Sequence, residues 1–386
     1  MNSSCISEQV KCYATSTNPF TYCDCPPIKA DSDIAGQGVL SAFMASALLT
    51  ILLSIACLVF KEDYNFTQLN ELDKLFRLFV CRPLHKRSNY KLEVWADRLY
   101  PVVLSLSDSQ LVTGIAMLAS AIKLMNDGSI TAYHFNIVSD LAWFSSITHL
   151  MTLLVIRVFM GSQKPSKEHC STTSTKSSNR GFTHHDMLRY IRICLMVIMA
   201  AMLLYVCYLL GVERLYDDFN CPMKCLARSK RGGTPLKWSR MNFSLIIWSY
   251  PVSIIQIIPT FTRSWLVLRC KIEKLHYSID KNLEGTSFEK ILKRAIYRTL
   301  KMIFVVFWQF LASETEDILE GIAWFVVGVI SVIQDRDLAN PNDAACMSPI
   351  EWKKQNEWGF GQLVPLFLLF LPVLSFVEAW NPEGNR

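Results

Sequence analysis

The sequence predicts an all-α, polytopic integral membrane protein of about seven transmembrane helices, with its N-terminus outside the cytosol. Of 386 residues, 51% are hydrophobic and 12% aromatic, and the mean hydropathy is +0.24, too apolar for an ordinary soluble chain of this length. Apolar stretches recur at the ~20-residue length that crosses a hydrocarbon core. They cover 39–60, 102–125, 135–160, 190–211, 243–262, 311–334 and 362–380. Basic residues gather in alternate loops: Lys74, Arg77, Arg82, Lys86, Arg87 and Arg98 in the first, Lys164 to Arg189 in the third, and Lys271 to Arg298 in the fifth. An excess of Lys and Arg marks the cytosolic side.

This topology divides the chain into an extracytoplasmic cysteine-containing segment (1–38), a seven-helix transmembrane domain (39–380) and a short cytosolic tail (381–386). No apolar h-region precedes the first span, which is therefore expected to act as the insertion signal. Cys5, Cys12, Cys23, Cys25, Cys221, Cys225 and Cys346 all fall on the predicted outer side, where disulfides persist. Their pairing cannot be read from spacing, and the loop holding Cys221 also carries Lys224, Arg228, Lys230 and Arg231, against the charge bias. Asn2 opens an outer sequon and is the expected glycosylation site; Asn65 lies on the cytosolic side, and Asn242 too close to a span. Ser162 to Asn179, rich in Ser, Thr and Lys, reads as a cytosolic loop. The net charge of +6 fits loops facing anionic lipid, with no pattern for nucleic acid.

Several chemistries leave no mark. The chain has no H-E-x-x-H, no spaced Cys/His zinc pattern, no Walker loop and no G-x-G-x-x-G, so neither metal nor cofactor is expected. Asp217-Asp218-Phe219-Asn220 and Asn126-Asp127-Gly128 lack the further acid of an aspartate-rich diphosphate motif, which speaks against magnesium-assisted diphosphate loss. His184-His185-Asp186 reads as a solvated helix start, because adjacent residues diverge on a helix. Receptor signatures are equally missing around Arg157 and in the seventh span.

The informative residues are polar ones inside apolar spans, since a mid-bilayer acid faces a bundle interior or cavity and marks function. Asp108, in Ser107-Asp108-Ser109-Gln110, reads either as the first-turn acid of a capping box or as a catalytic acid. Asp140 shares a helical face with Trp143 and Phe144; this suits cation chemistry, or equally an interfacial acid in an aromatic belt. His149, deeper, reads as an interhelical hydrogen-bonding partner.

The sixth span raises the sharpest question. Glu314, Asp317, Gly321, Trp324 and Gly328 form one helical stripe, and Glu316 and Glu320 an adjacent one. Met302 to Ile333 as a single helix would measure ~48 Å, longer than the hydrocarbon. Either Met302 to Leu311 lies along the interface or the chain breaks at Ser313. Asp317 and Glu320 are then the acids expected to face a cavity, against the alternative of a solvated or Lys/Arg-paired helix start. In the seventh span Trp358-Gly359-Phe360-Gly361, Pro365 and Pro372 allow close packing and bending.

Ser107 to Ile115 (SDSQLVTGI), Tyr133-His134, Leu141 to Leu150 (LAWFSSITHL) and Trp358 to Leu371 (WGFGQLVPLFLLFL) resemble a class of fungal seven-helix membrane proteins over about a third of the chain. Within it the layout is similar to the membrane-bound terpene cyclases of the ascofuranone and ascochlorin pathways. The resemblance implies a metal-independent isomerase of meroterpenoid biosynthesis in the endoplasmic reticulum or another secretory membrane. Its substrate would be a hydrophobic terpenoid epoxide, the terminal epoxide of a farnesylated aromatic aldehyde. It supplies no catalytic motif, so the site rests on the residue chemistry. Epoxide opening needs a protonated carboxyl and a dry aromatic pocket for the cation. Asp317 and Glu320 lead as the acid, then Asp140 and Asp108, with Trp143, Phe144, Trp308, Phe310 and Trp324 as cation-stabilising rings. Two other readings remain: a receptor-like protein of unknown ligand, and a transporter using the acids as a proton relay.

Overall fold

The computed structural model describes residues 11–15, 18–24, 27–61, 71–84, 91–162, 184–211, 219–228, 313–337, 339–341 and 347–370, with scattered positions in 246–253, 296–299 and 374–377. Asn2, Trp308, Phe310, Met302 to Leu311 and most of the predicted fifth span lie outside these residues.

The described chain is mostly helical. A hairpin, β1 (Lys11–Thr15) and β2 (Asn18–Asp24), pairs antiparallel with Cys12 opposite Cys23 in the N-terminal segment. The helices follow as α1 (Ser32–Ala35), α2 (Gln37–Phe60), α3 (Glu71–Phe76) running into a π-helical turn at Arg77–Cys81, α4 (Lys91–Asp127), α5 (Ala132–Ser162), α6 (His184–Leu210), α7 (Met223–Arg228), α8 (Glu314–Asp337), α9 (Pro349–Gln355) and α10 (Phe360–Leu368). Among the described residues four helices are long and apolar enough to cross a membrane: Ser32–Phe60, Leu92–Asp127, Ala132–Phe159 and Tyr190–Leu210. On α8, Leu319, Ile322, Val326, Ile330 and Ile333 form an exposed apolar stripe at helical spacing.

Two expected boundaries change. The second span does not open at residue 102. It is the middle of α4, which begins at Lys91 and carries Pro101 within it. Ser107-Asp108-Ser109-Gln110 therefore lies well inside a helix and caps nothing, because Ser105, Leu106 and Ser107 are already helical. The sixth span opens at Glu314, with Ser313 as its cap. Ser313 Oγ accepts from the Glu316 amide at 3.3 Å, while Asp73 of α3 accepts from Ser313 Oγ, Thr315 N and Thr315 Oγ1, each at 2.9 Å. Both the cap and the first-turn acids Glu314, Glu316 and Asp317 suit the positive end of the helix dipole.

Helix α5 is the central element. It follows α4 through a tight return: the Gly128 amide donates to Met125 O at 3.0 Å and the Ser129 amide to Leu124 O at 2.9 Å, with Gly128 at φ 79°. This is a Schellman ending, whose left-handed residue costs glycine nothing. Thr131 caps α5 by accepting from the His134 amide. The Ala132 and Tyr133 amides donate to Cys221 O and Phe219 O, at 2.8 and 3.1 Å, which satisfies donors a helix start leaves open. Cys221 is disulfide-bonded.

On one side α5 meets α4 through a polar contact, and α4 in turn meets α2 through another. Ser107 Oγ and His149 Nδ1 lie 2.6 Å apart, so His149 is the interhelical partner the sequence suggests, and Gln110 Nε2 donates to Ser46 Oγ at 2.5 Å. On the other side α5 runs antiparallel to α8. Asn136 Nδ2 donates to Asp335 Oδ2 at 2.5 Å, the rings of Trp143 and Trp324 lie 5.8 Å apart and those of Phe144 and Phe325 5.6 Å, and Arg157 pairs with Asp317 at 2.8 Å. A Cβ on Gly328 would lie 3.1 Å from Phe144 and 3.3 Å from Trp143, and one on Gly321 would run into the Met151 side chain. The two glycines, seven residues apart, let the helices approach.

The stretch predicted as a seventh span contains α10, held by Gln362. This fully buried side chain accepts from the Gly38 amide at 2.9 Å and donates to Glu357 O at 2.6 Å. Before it, α9 is capped by Ser348, which accepts from the Glu351 amide at 3.2 Å, and the Ala30 amide donates to Glu351 Oε2 at 2.9 Å. Hydrogen bonds from Lys354 and from that amide hold the Glu351 carboxyl below its usual range.

Replacing Gly321 by valine overpacks the α5–α8 contact, an effect of about 1–3 kcal/mol. The expected outcome is a Tm several degrees lower for the detergent-solubilised protein, partly restored when Met151 is also cut to alanine. An unchanged Tm for G321V contradicts the packing.

Candidate functional site

Between α5, α8 and residues 246–253 lies a recess holding about 690 Å³ of atom-free space, part of it open to the outside. Its α5 wall runs from Trp143 to Arg157, about 21 Å at 1.5 Å per residue. Leu150, Leu153, Leu154 and Ile246 make most of the lining apolar. Asp317, Glu320, Gly321 and Trp324 come from α8, and Ser249, Tyr250 and Ser253 from the third side.

The leading sequence candidates thus converge. Asp317, Glu320, Trp143 and Trp324 all line one recess, because α8 presents residues 317, 320, 321 and 324 on adjacent stripes. Their surroundings differ. Asp317 Oδ2 accepts from Arg157 at 2.8 Å, and Glu314 pairs with Arg77 at 3.4 Å, both of the latter side chains being nearly enclosed. These two acids make the Arg-paired helix start that the sequence left as an alternative. Glu320 differs from both. Its Oε1 accepts from Trp324 Nε1 at 3.2 Å and from Ser249 Oγ at 3.4 Å, both neutral donors, and no cation pairs with it among the described residues.

The other candidates lie elsewhere. Asp140 does not line the recess; it is buried on α5 close to Asp335 and Ser331 of α8. The shared face with Trp143 expected for it does not form a common site: Trp143 reaches the recess while Asp140 sits further along the α5–α8 contact. Phe144 is fully buried behind the recess against Phe325 and Gly328, so it supports the wall without lining it. Asp108 is engaged by Arg192 of α6, with contacts of 2.6, 2.8 and 3.0 Å. Such a bidentate pair is a structural tie between α4 and α6.

Glu316, Asp317 and Glu320 each offer an oxygen, and these lie within 4.8 Å of one another. A hard cation would find oxygen ligands there, although Arg157 already occupies Asp317.

Sequence reasoning missed the third wall. Ser146 is fully enclosed on α5, and the buried Tyr250 donates its hydroxyl to Ser146 Oγ at 2.7 Å. Ser146 falls inside the Leu141 to Leu150 stretch that carries the resemblance, and Tyr250 in no stretch singled out from the sequence. The signal available was weak: a serine three residues after Trp143, on the recess face.

No protein-family profile matches the chain, and no solved structure does. The sequence is 31% identical over 119 residues to the Elsinochromes biosynthesis cluster protein HP3 of Elsinoe fawcettii, covering 31% of this chain and 43% of that protein. The chain thus spans less than half the length of this curated relative, which belongs by its description to a fungal secondary-metabolite cluster.

Removing Arg157 alone leaves Asp317 without its cation in a partly enclosed place. R157A is expected to destabilise the solubilised protein by about 1–3 kcal/mol, whereas R157A/D317N is expected to recover most of that loss. If the double variant unfolds no later than R157A, the pair does not hold the two helices.

Proposed function

We propose that the chain is a membrane-bound terpene cyclase of fungal meroterpenoid biosynthesis, which opens the terminal epoxide of a farnesylated aromatic substrate by proton transfer from Glu320. The observation that carries this reading is the recess, where one carboxyl with no cationic partner among the described residues stands beside two tryptophans in a largely apolar lining. The resemblance of the second, third and seventh spans to a class of fungal seven-helix membrane proteins, within which the overall layout is similar to such cyclases, supports it, as does the similarity to a protein of a secondary-metabolite cluster. The enzyme would sit in the endoplasmic reticulum or another secretory membrane, with about seven spans, the N-terminus outside and the recess open to substrate dissolved in the bilayer.

Glu320 donates its proton to the epoxide oxygen while the bond from that oxygen to the more substituted carbon breaks. The oxygen becomes a hydroxyl, and the neighbouring alkene closes on the carbon left electron-poor. Loss of a proton from the cyclised cation returns one proton to the enzyme, so substrate and product are isomers. Trp143 and Trp324, with ring centres 5.8 Å apart and steeply inclined, both line the recess, where an indole π-face attracts the passing charge. Apolar walls keep water from intercepting it. Trp324 also holds Glu320 in place through its indole N–H.

The arrangement separates the acids by task. Asp317 binds Arg157 and Asp108 binds Arg192, so they serve the bundle. In microsomes supplied with a prenylated aryl epoxide, E320Q is expected to lose at least ~100-fold in turnover, the scale of general acid catalysis, while D108N stays within a few-fold and chelator leaves the wild type active. Full turnover by E320Q at equal protein level refutes the assignment.

A further inference from the structure

The Ser146–Tyr250 pair stands apart from the other hydroxyls of α5. Thr148 donates to Phe144 O and Ser145 O, and Thr152 to Thr148 O, at 2.9–3.1 Å. This back-bonding is how a hydroxyl inside a helix normally disposes of its proton. Ser146 does not do so. Its oxygen accepts from Tyr250 at 2.7 Å, and among the described residues its own proton meets no acceptor. The Tyr250 oxygen, having donated, keeps its lone pairs. Both side chains are almost fully buried, and both line the recess.

The pair therefore presents one hydrogen-bond donor, from Ser146, and one acceptor, on Tyr250, to a largely apolar space. A buried hydroxyl left unmatched is unfavourable, so a fitting occupant supplies the converse set, one acceptor and one donor on the same atom. A hydroxyl oxygen does this; an ether oxygen accepts only. Ser146 and Glu320 approach the recess from facing helices. With Gly321 against Met151, Glu320 stands near the level of Met151, and Ser146 lies five residues along α5, about 7.5 Å further on. The proton donor and the hydroxyl pair are thus two separate polar points in one largely apolar recess.

We propose that Ser146 and Tyr250 form a hydroxyl-binding subsite of the recess, which seats a phenolic hydroxyl at the aromatic end of a prenylated ligand. The ligand class rests on the cyclase reading, and the subsite deepens it. With its aromatic end held there, the isoprenoid chain folds along Leu150 and Met151 toward Glu320. Ser146 and Tyr250 are positioning residues: they fix where the chain lies and take no part in proton transfer to the epoxide.

The test uses the full-length protein in lipid nanodiscs and reads binding through intrinsic tryptophan fluorescence, to which Trp143 and Trp324 contribute. The probes are a farnesylated phenol without an epoxide and its methyl ether. Wild type is expected to bind the phenol about tenfold tighter than the ether. S146A and Y250F lose that preference while binding the ether as the wild type does, and S146T, which keeps the hydroxyl, retains it. An equal phenol preference in S146A and Y250F, or none in the wild type, overturns the subsite. Turnover of the matching epoxide is measured in parallel. If the phenol preference depends on Ser146 and Tyr250 but the epoxide is not cyclised, the subsite stands and the cyclase reading falls. If the epoxide is cyclised through Glu320 while the preference is absent, the reverse holds.

Discussion

The antiparallel contact between α5 and α8 is the constraint on which the rest depends. It works because two glycines on α8 remove side chains where Met151, Phe144 and Trp143 of α5 need room. Between lipid-exposed helices no hydrophobic force favours association, so close packing and polar ties decide the pairing. Here the ties sit near the ends of the contact: Asn136 with Asp335 at one and Arg157 with Asp317 at the other. Along that contact Trp143, Met151 and Arg157 of α5 and Asp317, Gly321 and Trp324 of α8 form two sides of the recess, and Ser249, Tyr250 and Ser253 the third.

The same contact resolves the acidic start of α8. Four acids within seven residues of an apolar helix look forbidden until their partners are named. Glu314 takes Arg77 and Asp317 takes Arg157, while Asp73 caps the helix from α3. Arg77 is therefore more than part of a basic loop that sets orientation; it is buried against α8. Once these groups are matched, Glu320 is left facing the recess with an indole and a serine hydroxyl as its donors among the described residues. Chemical selectivity among like residues comes here from which of them the packing supplies with a cation.

Much of this was legible in the sequence, and the reason is periodicity. The stripe Glu314, Asp317, Gly321, Trp324, Gly328 correctly forecast a single face, because helical spacing survives any tertiary arrangement. Apolar length located the four helices that can cross a membrane. What failed were inferences that needed a partner. Asp108 looked like a capping acid because Ser-x-x-Gln follows the right spacing, yet α4 starts a further sixteen residues upstream of Ser107, at Lys91; a local motif cannot announce that the helix is already running. Asp140 looked like a recess acid because it shares a face with Trp143, but that face is wide enough for one residue to meet Asp335 and the other the cavity. Tyr250 could not be found, since nothing in its own neighbourhood records that Ser146 lies opposite. Conversely, Ser348-Pro349-Ile350-Glu351 is a legible helix start whose signal is purely local.

The recess and its acid both require α8 to lie along α5 in the register that opposes Gly321 to Met151. Disulfides form between Cβ atoms about 3.5–4.5 Å apart, which suits cysteines at these two positions. The direct measurement is mild oxidation of M151C/G321C in native membranes, followed by mass spectrometry for the linked peptide pair. This register predicts the linkage in high yield, and none for M151C/L319C, because Leu319 faces outward on α8. A higher yield of linked peptides from M151C/L319C than from M151C/G321C would contradict the register, and with it the placing of Glu320 in the recess.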